Sequence, residues 1–375
     1  MNIILSVLFP IIAYMGIPGD KSTDETFRDF KNAGFDICIT NYFNISDAVN
    51  ALNIANRHGI KIIPRCVDYD NRPLEAVSKL KDYPSFYGYL VCDEPDWNRM
   101  MQLKDVVNGI KSINPSLVSY VNLLPYYGPE ILRQTKTKDY VSYVQGLSKL
   151  SISQVSFDYY PITNNGIRKS WYENLEIIMS ENKKLGLPFW GFVLSTPHLV
   201  YPQPTIGSLP LQVYANLAYG AKGIQYYTYW TPKAHDNYDY HDGPISYTGE
   251  KTKTYNLVKS MNMELNKVSL LFVGASIDSV RHLLDIPQGA IRLSSPPKNI
   301  KSIKVKGRYG AIVSCFKKAN SHYMAIVNKD YEQSLVVQIK ANNSIPVRIT
   351  KELKSVKLSN LYSIAEGDIL IIKLD

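Results

Sequence analysis

The chain has little of what marks several common protein classes. Its four cysteines, Cys38, Cys66, Cys92 and Cys315, form no CxxC pair and no metal-ligand spacing. All four lie in or beside apolar runs, where cysteine behaves as a small buried hydrophobe. A bridge between Cys66 and Cys92 is open if their strands are neighbours. The six histidines form no HxxxH or HxH; His235 and His241 share a polar loop that reads as solvated. No run of about 20 apolar residues exists, because the stretch from Ile3 to Met15 is broken by Ser6 and Pro10. That excludes a membrane span. The same stretch has the length of a signal core, yet no Lys or Arg precedes Lys21 and no small-x-small cleavage site follows, so it reads as a first strand.

Clustered positive charge is also missing. The net charge is +9, but lysines occur only in short groups such as Lys183-Lys184 and Lys317-Lys318. Without a basic run or a zinc-finger, RRM or basic-zipper pattern, nucleic acid is not the expected partner. A glycine-rich phosphate turn is absent too. Gly16-Ile17-Pro18-Gly19 follows the first apolar run but lacks the GxGxxG spacing, which removes a nucleotide fold. No metal site and no cofactor is expected.

What the chain has in excess is tyrosine, 28 of them beside 4 Trp and 11 Phe. A tyrosine offers a flat apolar face with a hydrogen-bonding rim, which suits a wet, ring-shaped ligand. It also has a rhythm. Short apolar runs (9–15, 35–41, 60–65, 86–92, 117–124, 155–160, 189–194, 224–230) alternate with helical patterns opened by caps such as Thr23 and Ser46. Eight such units in about 250 residues predict a (β/α)8 TIM barrel over residues 1–274. From about Ala275 the pattern changes to short alternating runs separated by Gly, Pro, Asn and Asp. These predict a small all-β sandwich over residues 275–375, read as a cover for the barrel.

In a (β/α)8 barrel the chemistry sits at the C-terminal ends of the strands. That rule selects Asp93 and Glu94 after strand four and Asp158 after strand six. Asn41, Arg65 and Asn122 close strands two, three and five, while Tyr159, Tyr160, Trp190, Tyr227 and Trp230 supply aromatic faces. Two carboxylates across a barrel mouth suit glycosidic cleavage, one protonating the leaving oxygen and the other attacking the sugar or activating water. No Ser–His–Asp arrangement competes. Each acid has a plainer reading: Glu94 as a strand-end partner of Arg65, Asp158 as a loop cap or a partner of Arg168. The loop His235–Asp242 can line a cleft or be a solvated flap.

The segment Gly88-Tyr-Leu-Val-Cys-Asp93-Glu94-Pro95 resembles the strand-four signature of barrel glycoside hydrolases of the clan that contains the β-galactosidases. There Asn-Glu-Pro carries the acid/base glutamate. Phe157-Asp-Tyr-Tyr-Pro161, Ala218–Trp230, His322–Asp330 and Gly367–Leu374 are similar to other parts of such chains, the last two to their C-terminal β-sandwich. The resemblance implies a glycoside hydrolase with Glu94 as general acid/base, a carbohydrate partner and a secreted or periplasmic location. Two departures stand out. Asp93 replaces the Asn that contacts the sugar 2-hydroxyl, and Val193-Leu-Ser-Thr-Pro-His198 offers no acid where the clan has its nucleophile. Either Asp158 is the partner of Glu94, as strand-six acids assist chitinase-like enzymes, or the substrate's own N-acetyl group attacks. The remaining alternative is a silent, glycan-binding barrel. Sugar, linkage and oligomeric state stay open.

Overall fold

A computed structural model describes residues 8–375. The residues before Leu8, part of the expected first-strand stretch, lie outside the described ones. Eight parallel strands form one sheet: β1 (Ile11–Tyr14), β2 (Ile37–Tyr42), β3 (Lys61–Cys66), β4 (Gly88–Asp93), β5 (Val118–Leu123), β6 (Val155–Phe157), β7 (Phe189–Leu194) and β8 (Gly223–Tyr227). Their order is β3-β2-β1-β8-β7-β6-β5-β4. The ring closes between β3 and β4, where Ile62 and Phe86 bridge and Tyr87 N–H donates to the Ile62 carbonyl at 2.9 Å. This is the TIM barrel that the alternating pattern predicts.

Helices pack outside the ring: α1 (Asp24–Asn32), α2 (Ile45–Arg57), α3 (Pro73–Leu80), α4 (Trp97–Gln102), α5 (Lys104–Ile113), α6 (Ile131–Thr135), α7 (Tyr140–Gln145), α8 (Trp171–Leu185), α9 (Ser208–Ala218) and α10 (Lys253–Val268). Thr23 caps α1 through a reciprocal pair with Thr26. The cap of α2 is Asn44 rather than Ser46, since the Asn44 side chain accepts from Asp47 N–H. Gly186 ends α8 with φ 66°, a conformation where a Cβ is penalised.

Side chains alternate along each strand between the barrel interior and the helix layer. Ile12, Ile37, Ile39, Ile63, Leu90, Val118, Tyr120 and Trp190 fill the interior. Ile11, Cys38, Ile62, Tyr89, Val121 and Ile224 face the helices in the main core. At roughly 25 cal/mol per Å2 of apolar surface removed from water, this double burial is the main term holding the ring closed.

After α10 come nine antiparallel strands: β9 (Ser276–Leu284), β10 (Ile300–Lys306), β11 (Gly310–Lys318), β12 (Ser321–Asn328), β13 (Leu335–Ala341), β14 (Val347–Ile349), β15 (Ser355–Lys357), β16 (Leu361–Ile364) and β17 (Ile369–Lys373). A six-stranded sheet, β9-β11-β12-β17-β14-β15, stacks on a three-stranded one, β10-β13-β16, making the sandwich. The larger sheet is buried on both faces. Ala311 and Val313 face the sandwich interior, while Ile312 and Phe316 face the barrel. Between them the Ser314 hydroxyl donates to the Ala218 carbonyl of α9 at 2.7 Å, and Phe316 stacks on Phe272 at 4.7 Å. All four cysteines are free thiols, Cys66 and Cys92 included.

Candidate active site

The strand ends bring three carboxylates together. β4 approaches β5 so closely at Gly88 that any Cβ there would collide with the Val118 backbone. A bulge between Leu90 and Cys92 then shifts the register, so that Asp93 sits opposite Asn122. Glu94 follows with φ 46°, its N–H bonded to the Asn122 carbonyl at 2.9 Å. On β6, Ser156, Asp158 and Tyr160 share one face by the two-residue period, and the Ser156 contact with Asn122 shows that this face is the inner one.

Asn122 links the acids. Its amide nitrogen donates to Asp93 Oδ1 at 3.1 Å and to Asp158 Oδ1 at 2.9 Å. The amide orientation is set from below. Gln225 Nε2 donates to the Trp190 carbonyl at 3.2 Å and to Ser156 Oγ at 2.8 Å, and Ser156 donates to Asn122 Oδ1 at 2.8 Å. Tyr120 donates to Gln225 Oε1 at 2.7 Å. From the opposite side Tyr14 donates its hydroxyl proton to Asp93 Oδ2 at 2.9 Å. Glu94 lies near enough to Asp158 for each charge to bear on the other.

Asp93 and Glu94 are reachable from the open mouth, yet protein atoms packed round them strip the carboxyl groups of much of their water. Desolvation, then the Asp93 charge, pushes the Glu94 carboxyl up to about 7, against the hydrogen bond with Asp158. Burial and then the Glu94 and Asp93 charges hold Asp158 well above the usual carboxylate range. Asp93 is also raised by burial, opposed by the Tyr14 and Asn122 hydrogen bonds. Three acids so close cannot all ionise, and the cluster retains protons where isolated carboxyls have lost theirs.

Beside the acids an open cavity of about 660 Å3 is lined by Tyr14, Asn41, Leu90, Trp230 and Tyr247, among others. Trp230 is held in place by its indole N–H, which donates to the Tyr247 carbonyl at 3.2 Å. On the far side Tyr160, Phe192 and Leu194 pack with Tyr14, Tyr201 and Tyr227. The Tyr160 hydroxyl is buried there without a partner. Tyr227 donates to or accepts from Tyr240 at 2.7 Å, so the loop after β8 lies over the β7–β8 side of the mouth. His198 sits among Tyr201, Tyr227, Tyr238 and Tyr240, its Nδ1 on the Thr196 carbonyl at 2.9 Å, and burial lowers its pKa.

The structure thus gathers Asp93, Glu94, Asn122 and Asp158, and places Asn41, Tyr160, Tyr227 and Trp230 around them. It does not do so for three other expected residues. Tyr159 points outward, packs on Tyr127 at 4.8 Å and bonds Ser170 at 2.8 Å, because it alternates with Asp158. Trp190 faces inward but is the second residue of β7, so it fills the barrel interior against Tyr120, below the mouth. Arg65 is held by both oxygens of Asp70 at 2.8 and 2.7 Å and lines a separate cavity with Arg99. Arg65 is therefore not the ion-pair partner of Glu94. Arg168 stacks on Tyr127 and Tyr201 rather than pairing with Asp158. Tyr14, Ser156, Gln225 and His198 belong to the site and were not singled out from the sequence. A polar residue two places before a strand-end acid, as Ser156 is to Asp158, is the signal that finds such a support.

The end of β7 has no carboxylate. Ser195 and Thr196 hydroxyls both donate to the Thr228 carbonyl, at 2.8 and 3.2 Å, and Ser195 N–H bonds the Tyr227 carbonyl at 2.8 Å. Among the described residues no group of three or more His, Cys, Asp or Glu side chains is placed to hold a metal ion. No described helix is long and apolar enough to cross a membrane.

No family model and no curated protein matches the sequence. Solved structures do match. A β-galactosidase from Bacillus circulans sp. alkalophilus aligns over 97% of this chain and 99% of its own, with TM-score 0.64 and 11% identity. The catalytic mutant of a β-galactosidase from G. stearothermophilus aligns over 99% of both chains, with TM-score 0.63 and 8% identity. An α-amylase from Geobacillus thermoleovorans aligns over 97% of this chain and 98% of its own, with TM-score 0.56 and 9% identity. At these identities the likeness establishes the fold, a barrel shared with glycoside hydrolases, and leaves the chemistry to the residues.

Proposed function

We propose that this barrel is a glycoside hydrolase in which Glu94 is the general acid/base. The observation that carries the reading is a cluster of three carboxyls, Asp93 and Asp158 on the Asn122 amide with Glu94 beside them, at the mouth of a barrel next to an aromatic-lined cavity; burial and their crowding push Glu94 up to about 7. A general acid works best when its pKa lies near the operating pH, because it is then both protonated and a willing donor. Trp230 and Tyr14 supply faces on which a pyranose ring stacks, and Asn41 supplies an amide for its hydroxyls.

Asp158 takes a different role from an opposing nucleophile. Retaining pairs stand about 5–5.5 Å apart and inverting pairs about 6.5–9.5 Å apart, with the sugar between them. Glu94 and Asp158 sit on the same side of the mouth, after the two strands that flank β5, rather than across it from one another. Asp158 instead shares the proton of Glu94; that proton goes to the leaving oxygen, and the water that finally attacks the sugar carbon gives up a proton that restores the pair. The attacking group then comes from the substrate itself, such as a 2-acetamido oxygen, or from water.

A second reading, a glycan-binding barrel without turnover, is favoured by one observation: the end of β7 is occupied by Ser195 and Thr196, both already bonded to β8. Assay on a panel of aryl glycosides, with and without a 2-acetamido group, separates the two. The hydrolase reading expects turnover that is lost in Glu94→Gln. Binding of a glycan with no turnover of any member, unchanged in Glu94→Gln, establishes the second reading instead.

A further inference from the structure

Away from the mouth, the barrel and the sandwich enclose a cavity of about 370 Å3. Its barrel wall is the short hairpin Ile162–Thr163/Gly166–Ile167, which follows β6, and the start of α8; its sandwich wall is the turn after β9, Tyr309 and the end of β12. The lining is cationic, with Lys329, Arg168 and Lys169 against the single carboxylate of Asp285.

Lys329 is the unusual member. It is 1% exposed, and the one hydrogen bond found for its ammonium goes to the Asp285 backbone carbonyl. Among the described residues no carboxylate lies within ion-pair distance of it, although an ammonium has three protons to place. Its neighbours in sequence explain why it points here. Asn328 and Asp330 both turn into the sandwich, Asn328 donating to the Gln333 and Ala365 carbonyls at 2.8 and 2.9 Å and Asp330 holding Arg308 at 2.9 and 2.8 Å. Lys329, between them, faces the barrel. Burial pushes its pKa down to about 8.

Two further groups await partners in the same lining. Arg168 Nε is buried and unbonded, and so is the Tyr172 hydroxyl. A buried donor left without an acceptor is unfavourable, so two of them at one cavity, beside an ammonium with protons still to place, describe a site built for an acceptor that arrives from outside. The rings of Tyr172 and Tyr309 give the flat walls. The volume is at the small end of the range of about 300–1,000 Å3 for small-molecule pockets.

We propose that this seam cavity is a second ligand site that takes the carboxylate of an acidic sugar, with Lys329 as its anchor and Arg168 and Tyr172 as further donors. The sugar half of that statement rests on the glycan reading of the mouth; the anion half rests on Lys329 alone. Asp285 at the rim selects a singly charged carboxylate over a doubly charged phosphate. Arg168 also joins the site to the mouth, since it stacks on Tyr201 at 5.6 Å, and Tyr201 packs on Tyr160 at 5.7 Å. A glycan with a charged residue some units from the cleaved bond would fill both places.

Calorimetric titration of the full chain with D-glucuronate, D-glucose and inorganic phosphate tests this. Glucuronate is expected to bind at least about tenfold more tightly than glucose or phosphate, as loss of one charge-assisted hydrogen bond predicts. Lys329→Met is expected to weaken glucuronate by about tenfold or more while leaving turnover of neutral aryl glycosides unchanged. Glu94→Gln is expected to leave glucuronate affinity as it was. Equal affinity in Lys329→Met, or glucose binding as well as glucuronate, overturns the site; phosphate binding as tightly as glucuronate overturns the sugar class. Should Lys329→Met not fold, Tyr172→Phe, which removes only the unpartnered hydroxyl, is read by the same criteria. Glucuronate binding that depends on Lys329, in a chain that turns over no glycoside, leaves this site standing and removes the hydrolase reading.

Discussion

The two sides of the barrel mouth are built on opposite plans. At the ends of β4, β5 and β6 the side chains are ionisable and share protons: Asp93, Glu94 and Asp158 around the Asn122 amide. At the ends of β7 and β8 they are hydroxyls tied to backbone, with Ser195 and Thr196 both on the Thr228 carbonyl and Thr228 donating to the Trp230 carbonyl at 2.8 Å. The first side stores charge close to its release point, and the second stores none. The carboxyls at this mouth are therefore gathered on one side, and the opposite wall is made of backbone-tied hydroxyls and packed rings.

The largest test of that asymmetry is Glu94→Gln. Loss of a positioned general acid lowers kcat/KM by about 100- to 10,000-fold, measured as initial rates on an aryl glycoside, while glycan affinity holds. Next comes Asn122→Ala, which leaves two crowded carboxyls without their shared donor and Ser156 without its acceptor. Stability should fall by about 1–3 kcal/mol, read from the urea midpoint.

Asp93→Asn sharpens the comparison through pH. Glu94 must be protonated to act as an acid, so activity falls as pH rises through its pKa of about 7. Asp93 raises that pKa, so removing its charge moves the alkaline limb of the rate profile to lower pH, by up to about one unit. An unmoved limb would mean that Asp93 does not set the proton affinity of Glu94. The smallest effect belongs to the other side. Ser195→Ala removes one neutral hydrogen bond, to the Thr228 carbonyl, and should cost about 1 kcal/mol of stability, with the pH profile unchanged.

The same contrast marks what was legible in the sequence. The barrel could be read because strand and helix periods alternate without interruption, and the strand-end rule then isolated Asp93, Glu94 and Asp158 from 33 acids. The supports could not be read so easily. Ser156 is legible only by counting back two places from Asp158, and Gln225, inside an apolar strand that ends in no acid, has no such reference. Trp190 and Tyr159 were expected at the mouth because aromatic content was noted without height or phase along the strand. In the sandwich, β9 carries Asp278, Arg281 and His282 in place of a clean apolar alternation, so its sequence gives little sign of a strand. Its partner β11, apolar on both faces, was plain.

The left-handed backbone at Glu94 has a thermodynamic corollary. A side chain held at φ 46° works against its own Cβ, an effect of about 1–2 kcal/mol that glycine escapes. Glu94→Gly should therefore raise the melting temperature of the chain even as it abolishes turnover. The mouth thus holds a carboxyl at a position where the backbone alone would favour glycine.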